Sequence, residues 1–247
     1  MPNSDRLIVA LDVSSAAQAR RIVQSIGESA STYKIGKQLF TAEGPQIVRD
    51  LVSSGRKVFL DLKFHDIPNT VAGAVSEAAK LGISMLTVHA SGGSKMLKAA
   101  VEAAAQSAAK PMVLAVTVLT SLSDNDLEEI GIAGQVQTQV LRLGSLALKA
   151  GCGGLVASPL EARELRRGLG DGFAIITPGI RMGDPTSPGD SGRPDDQARI
   201  LTPKEAIAAG ATYLVVGRPI LEAASPARVA ESIVAEVAEA LHQSTST

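Results

Sequence analysis

The sequence predicts a (β/α)8 barrel, the TIM-barrel architecture, and three observations lead to this prediction. Short apolar and β-branched runs alternate eight times with Ala-, Glu- and Leu-rich segments typical of helices. The chain has 247 residues, which suits this fold. The first strand runs into Leu11-Asp-Val-Ser-Ser15 and not into a Gly-rich dinucleotide turn, which would favour the alternative, a doubly wound open sheet.

The first four predicted strands are apolar runs that stop at Gly, at charge or at a turn signal. They are Leu7–Val13, which is apolar except for Asp12; Thr32–Gly36, which stops at Gly; Val58–Lys63, which ends in charged residues; and Met85–His89, which leads into Ala-Ser-Gly-Gly.

The last four predicted strands follow the same rule, with helical segments between them because parallel neighbours need a crossover connection. They are Met112–Leu119, which follows Pro111; Gly154–Ser158, which leads into Pro159; Ala174–Pro178, which stops at Pro; and Tyr213–Gly217, which stops at Gly. A final helix is predicted over about Pro226–His242.

Composition excludes several classes of protein. A formal net charge of −1 without a basic run argues against a nucleic-acid partner. No apolar run approaches the roughly 18 residues of a membrane helix, so no membrane partner is expected. The single Cys152 excludes an internal disulfide and is expected to be a packed, inert thiol. With no signal-peptide pattern at the start, the expected location is the cytoplasm.

The chain is expected to form one barrel domain over residues 1–247, because no linker divides it. The segment Arg181–Arg199 is too polar and too rich in Gly and Pro for a regular element. Long loops of this kind in compact domains are commonly lids over a site. This segment follows the seventh strand, at the barrel end where active sites lie, so it is predicted to be a lid.

The third predicted strand carries the most informative residues. Side chains alternate faces along an extended strand, so Asp61 and Lys63 share one face, and Asp66 follows directly. An acid–base pair in an apolar strand carries a large desolvation cost, and it is normally tolerated only when the groups are paired or do chemistry. The spacing therefore indicates a catalytic site in which two carboxylates bracket one amine.

Further polar residues stand at the carboxyl ends of other strands, which converge on one pocket in a barrel. They are Asp12, Lys34, His89, Thr120, Ser158 and Arg218. Asp12 is open to a second interpretation, as the cap of the following helix, and His89 is interpreted as a structural histidine. Gly217-Arg218-Pro219 indicates a phosphate site at a helix N-terminus, with a surface arginine as the alternative.

With these motifs assembled, the chain closely resembles the bacterial type of the orotidine 5′-phosphate decarboxylase family, nearly from end to end. The family's Asp-x-Lys-x-x-Asp signature stands here as Asp61, Lys63 and Asp66. Lys34 matches a lysine of its second strand, and Asp12 its ribose-binding aspartate. The segment 184–196 is longer and richer in Pro and Gly than the family pattern, so the match of Gln197 is the weakest.

The resemblance implies conversion of orotidine 5′-monophosphate to uridine 5′-monophosphate and CO2 in pyrimidine biosynthesis, without metal or cofactor. It implies a homodimer in which Asp66, Ile67 and Thr70 come from the partner subunit. The implied catalytic residues are Lys63, Asp61, Asp66 and Lys34. The implied substrate-binding residues are Asp12, Lys34, Asp61, Leu62, Lys63, Phe64, His65, Asp66, Ile67, Pro68, Asn69, Thr70, Thr120, Arg181, Gln197, Gly217 and Arg218.

Two rival hypotheses stay open at this point. A related barrel enzyme could share Asp-x-Lys-x-x-Asp but act on a sugar phosphate through an enediolate held by Mg²⁺, which needs further carboxylates near strand 2, where this chain has Lys34. Alternatively, the barrel could only bind a phosphorylated ligand, which leaves the charged residues of strand 3 without a purpose.

Overall fold

The computed structural model describes residues 2–183 and 201–244. Eight parallel strands form a closed barrel in chain order, and the last strand pairs with the first. This confirms the predicted (β/α)8 barrel. The strands are β1 Leu7–Ala10, β2 Thr32–Gly36, β3 Lys57–Phe64, β4 Met85–His89, β5 Met112–Val116, β6 Gly154–Val156, β7 Ala174–Thr177 and β8 Tyr213–Val216.

Helices connect successive strands and surround the barrel. They are α1 Ala16–Ile26, α2 Lys37–Glu43, α3 Gln46–Ser53, α4 Pro68–Ala79, α5 Gly93–Gln106, α6 Asp124–Glu129, α7 Val136–Lys149, α8 Ala162–Leu169, α9 Pro203–Ala208, α10 Arg218–Leu221 and α11 Pro226–Ser244. Over the described ranges, none of them combines the length and apolarity needed to cross a bilayer.

The strands divide the core into two layers because successive side chains point to opposite faces. Outward residues such as Leu7 and Val9 pack against apolar side chains of the surrounding helices. Inward residues fill the barrel, and they are Ile8, Ala10, Phe59, Met85, Leu114, Ala174, Ile176 and Val215. Strands buried on both faces have continuous apolar sequences, which is why the sequence revealed them clearly.

Five predicted strands extend past the observed ones at their carboxyl ends. β1 stops at Ala10 and β5 at Val116, although the predictions ran to Val13 and Leu119; β6, β7 and β8 end one or two residues early. The following residues stay buried after leaving the ladder, with Leu11 at 0% and Val118 at 4% exposure. The apolar runs in the sequence therefore extend beyond the assigned strands, and this is why the predicted strands were too long.

Candidate active site

A cavity of about 620 Å³ opens at the carboxyl end of the barrel, where the strands converge. Its walls come from strands β1, β2, β3, β5, β6, β7 and β8 and from the segments that follow them. The structure brings eight of the residues singled out in the sequence to this cavity: Asp12, Lys34, Asp61, Lys63, Thr120, Arg181, Gly217 and Arg218.

Four of these residues form a chain of alternating charge. The Nζ of Lys34 lies 2.8 Å from Oδ1 of Asp12 and 3.8 Å from Oδ2 of Asp61. The Nζ of Lys63 donates to both oxygens of Asp61, at 2.8 and 2.9 Å. Asp61 thus lies between two ammonium groups, and Lys34 between two carboxylates.

The Lys34–Asp12 pair depends on a glycine at the end of β2. A side-chain Cβ on Gly36 would lie 3.1 Å from Nζ of Lys34 and 3.2 Å from Oδ1 of Asp12. A larger residue would therefore be in tight contact with both atoms of this ion pair. Asp12 is not the cap of α1, since the Ser15 side chain accepts the hydrogen bond from the Gln18 N–H. The helix-cap interpretation of Asp12 is therefore wrong.

Lys63 has an unusual backbone conformation. Its φ is 55°, in the left-handed region that non-Gly residues seldom occupy. The pairing of β3 with β4 shifts register between Leu60 and Phe64, so the strand is irregular where the charged pair stands. Asp61 and Lys63 are in contact, as the sequence predicted. The contact forms in an irregular part of β3, however, and not through the regular alternation of side chains along an extended strand. Strained backbone of this kind clusters at functional sites.

Thr87 on β4 holds this irregular segment. Its hydroxyl donates to Oδ1 of Asp61 at 2.9 Å and accepts the Lys63 backbone N–H at 2.9 Å. The side chain is fully buried. Sequence analysis missed Thr87, because a threonine within Met-Leu-Thr-Val-His is an ordinary β-branched strand residue.

The surroundings keep Asp61 ionised. Burial acts to raise the pKa of this carboxyl, but the ammonium groups of Lys63 and Lys34 and the hydrogen bond from Thr87 outweigh it. The pKa of Asp61 therefore lies below its ordinary value. A carboxylate that stays charged in a closed site can hold a lysine in its ammonium form.

The segments that follow β7 and β8 also border the cavity. Arg218 is the first residue of α10, directly after Gly217, and Arg181 follows β7. The guanidinium of Arg181 donates to the carbonyl of Ile180 at 3.0 Å. Two arginines at one end of a cavity suit an anion such as phosphate, which guanidinium groups bind with paired hydrogen bonds.

The segment from His65 to Thr70 does not line this chain's cavity. Asp66 is exposed, and its Oδ1 accepts the Ile67 N–H at 2.6 Å. Ile67 is 66% exposed, unusual for a large apolar residue. Among the described residues, Asp61 is the carboxylate that contacts the Lys63 amine, so the expectation of two bracketing carboxylates is not met within this chain.

Other predicted positions also lie away from the cavity. Leu62 and Phe64 pack against the core between strands and helices, because they face outward from β3. Those two residues are therefore placed to support the site and not to touch a ligand in it. The ring of His65 lies against His89, with centroids 5.4 Å apart and an interplanar angle of 41°. Gln197 and most of the predicted lid lie outside the described residues.

Sequence analysis missed several cavity residues. Gln18 on α1, Ser121 after β5 and Glu222 at the end of α10 line the cavity. Each stands in a segment where polar residues are ordinary on a solvated surface. The position of Ser121 next to Thr120, at the carboxyl end of a strand, is the one signal that pointed toward the site.

Fold and site together define a (β/α)8-barrel enzyme. The model of the orotidine 5′-phosphate decarboxylase / HUMPS family matches residues 5–233, and the chain belongs to that family. The resemblance found in the sequence motifs is thereby confirmed.

Curated relatives carry the name orotidine 5′-phosphate decarboxylase. The protein from Heliobacterium modesticaldum is 49% identical over 247 residues, covering 98% of this chain and 99% of its own length. The one from Sodalis glossinidius is 50% identical over 232 residues, covering 94% of this chain and 89% of its own length. Among solved structures, orotidine 5′-phosphate decarboxylase from Lactobacillus acidophilus matches with a TM-score of 0.82 and 39% identity, covering 94% of this chain and 99% of that one.

Proposed function

We propose that this chain removes CO2 from orotidine 5′-monophosphate to give uridine 5′-monophosphate in pyrimidine biosynthesis. The observation that carries the proposal is the position of Lys63, whose ammonium is held by both oxygens of Asp61 at the mouth of the barrel cavity. The names of the relatives support the choice of substrate.

The chemistry needs a cation beside the reacting carbon. When the bond between C6 and the carboxylate breaks, CO2 leaves and the electron pair stays on C6 in the ring plane, where it is little delocalised. A fixed ammonium stabilises this developing charge directly. Lys63 then donates a proton to C6 as general acid, becomes a neutral amine, and regains a proton from water after product release.

The alternating charges prepare Lys63 for both tasks. Asp61 keeps the lysine charged and directs its Nζ, and Lys34 keeps Asp61 ionised from the other side. Little rearrangement is then needed when charge develops on C6, which is the usual source of electrostatic catalysis. Repulsion between Asp61 and the substrate carboxylate has a smaller part in the proposal, because ground-state effects of this kind are contested.

Substrate groups remote from C6 are assigned to residues that follow β1, β5, β7 and β8. Arg218, Gly217 and Arg181 bind the phosphate, Asp12 binds the ribose and Thr120 contacts the pyrimidine. The predicted phosphate contact of Gln197 belongs to the same assignment, and this residue lies outside the described residues. Binding energy from the phosphate is then used to order the site and exclude water.

The proposal includes a homodimer with a shared site. Asp66, Ile67 and Thr70 of one subunit would complete the cavity of the partner, with His65, Pro68 and Asn69 in the same segment. The high exposure of Ile67 and the distance of this segment from its own cavity support this arrangement. A single catalytic domain over residues 1–247, no cofactor and a cytoplasmic location belong to the same proposal.

The Mg²⁺-dependent rival fits the site less well. Such an enzyme needs further carboxylate ligands near β2, where this chain has Lys34 between Asp12 and Asp61. Within residues 2–183 and 201–244, no three His, Cys, Asp or Glu side chains are grouped to bind a metal ion.

The decisive experiment follows orotidine 5′-monophosphate by ultraviolet absorbance, with and without EDTA. We expect turnover at the same rate in both, since the proposed site has its own cation at Lys63. Loss of activity on chelation, restored by Mg²⁺, would favour the enediolate rival. Binding of uridine 5′-monophosphate without any turnover would favour the barrel that only binds a phosphorylated ligand.

A further inference from the structure

Thr87 connects the two central charged residues through a single hydroxyl. It lies on β4, and its partners Asp61 and Lys63 lie on β3, 26 and 24 residues earlier in the chain. The side chain has no exposed surface, so these contacts are shielded from water. A hydrogen bond in such surroundings is stronger than one at the surface, and a lost partner costs more.

The Thr87 hydroxyl acts both as a hydrogen-bond donor and as an acceptor. A hydroxyl has one hydrogen to donate and lone pairs to accept with. Thr87 donates to the Asp61 carboxylate and accepts the N–H of Lys63. That N–H needs a partner outside the regular ladder, because the β3–β4 pairing shifts register at this point. No apolar residue of similar size could satisfy both groups.

The contact of Thr87 with the Lys63 N–H matters because the backbone of Lys63 is in an unfavourable conformation. A non-Gly residue at φ 55° is strained and persists only when its surroundings hold it. Thr87 holds the N–H of Lys63 itself and also the carboxylate that binds its Nζ. The lysine is therefore controlled at both ends by contacts that meet at one side chain.

We infer that Thr87 is a positioning residue for the reaction, whose hydroxyl sets the Lys63 ammonium against C6 by holding the Asp61 carboxylate and the Lys63 backbone together. The inference rests on the proposed decarboxylase function. Thr87 does not line the cavity, so it acts on the reaction only through those two residues.

The test compares Thr87→Val with Thr87→Ser. Valine keeps the shape and removes the hydroxyl, whereas serine keeps the hydroxyl. With orotidine 5′-monophosphate, Thr87→Val is expected to lower kcat by about 10- to 100-fold, the scale of a displaced reacting group. KM and the Kd of uridine 5′-monophosphate should change by less than about threefold, since the ligand contacts stay in place. Thr87→Ser should recover kcat to within about fivefold of wild type, because the same two hydrogen bonds can form.

Thr177→Val is a matched control. Thr177 is also fully buried on a barrel strand, and its Oγ1 has no hydrogen-bond partner among the residues described. Removing an unpaired buried hydroxyl is near neutral or stabilising, so kcat should stay at the wild-type value. A general effect of placing valine in the barrel would appear in both variants.

Three outcomes would overturn the inference. These are wild-type kcat in Thr87→Val, equal loss in Thr87→Val and Thr87→Ser, or equal loss in the Thr177→Val control. If circular dichroism shows that Thr87→Val does not fold, Thr87→Cys replaces it, because a thiol is only a weak donor and acceptor; wild-type kcat there would also overturn the inference. A wild-type protein that fails to decarboxylate the substrate would instead overturn the proposed function, and the inference with it.

Discussion

The ammonium of Lys63 contacts both carboxylate oxygens of Asp61, at 2.8 and 2.9 Å, although the two residues are only two positions apart in one strand. A regular strand spaces such neighbours along its face, whereas here the left-handed backbone of Lys63 brings its amine back onto Asp61. The lysine is thereby fixed before any substrate arrives, and its removal should affect chemistry more than binding.

We predict that Lys63→Ala reduces kcat by several orders of magnitude, because the variant lacks both the stabilising charge and the proton donor. Uridine 5′-monophosphate should still bind, since the phosphate and ribose contacts are intact. Stopped assays with substrate and calorimetry with the product measure the two effects.

Lys57→Ala is the control for Lys63→Ala. Lys57 lies at the other end of β3, is half exposed and pairs with Asp5 on the surface. Exposed ion pairs contribute little, so this variant should keep wild-type kcat. Wild-type turnover in Lys63→Ala would exclude the proposed mechanism.

Arg218→Ala tests the phosphate end of the cavity. Loss of a charged hydrogen-bond donor at a ligand phosphate costs about 1.5–3 kcal/mol, so KM should rise by roughly 10- to 100-fold. Orotidine, which lacks the phosphate, should be turned over by the variant and by wild type at similar low rates. Kinetic assays with both substrates measure the difference.

Arg228→Ala gives the matched arginine control, because Arg228 is exposed on α11 and does not line the cavity. It should leave KM unchanged. An equal loss for orotidine and its monophosphate in Arg218→Ala would instead mean that Arg218 supports the structure and not the phosphate.

The barrel was predictable because most strands are buried on both faces and therefore have nearly continuous apolar runs. Strand ends were harder, since Leu11 and Val118 are buried without belonging to the ladder. The contact of Asp61 with Lys63 was predictable from spacing, but the left-handed φ of Lys63 was not, because nothing in Asp-Leu-Lys marks such a residue. The contribution of Thr87 depends on the register between β3 and β4, which only the folded chain defines.

Sequence spacing also does not show whether a residue acts in its own chain or in that of a partner. The spacing of Asp66 from Lys63 is the same whether the carboxylate reaches its own lysine or that of a partner. Asp66 and Ile67 are exposed in this chain, and the subunit-mixing test below distinguishes the two cases.

The lowered pKa of His89 leads us to predict that stability depends on pH. Burial, the neighbouring His65 and the charge of Lys63 lower the pKa of His89 from its ordinary value of 6.5, while Lys37 adds to the effect and Asp61 opposes it. Below that value the unfolded chain binds a proton that the folded chain does not, so the free energy of unfolding falls as the pH falls from about 7.5 toward 5.5. Asp61 affects stability only at lower pH, below its ordinary value of 3.8.

Urea unfolding at fixed protein concentration and a series of pH values checks this prediction. His89→Gln should lose stability less steeply than wild type across that range. Identical slopes for His89→Gln and wild type would show that His89 does not titrate differently in the two states.

The shared site can be tested by mixing subunits of two inactive variants, Lys63→Ala and Asp66→Ala. In a hybrid dimer, one site has both lesions, while the other takes Lys63 from one chain and Asp66 from its partner. That second site is chemically intact. Activity should therefore return on mixing, toward one working site per hybrid dimer, and substrate turnover after subunit exchange measures it.

Mixing Lys63→Ala with Asp61→Ala is the matched control. These two residues are hydrogen-bonded within one subunit, so every site in that hybrid keeps one lesion and no activity should return. Exchange itself is followed with subunits labelled by two fluorophores. If exchange occurs and the Lys63→Ala and Asp66→Ala mixture stays as inactive as the control, Asp66 acts in the same subunit as Lys63. The exposed segment from His65 to Thr70 would then need to move onto its own cavity, a rearrangement that a site shared between subunits does not require.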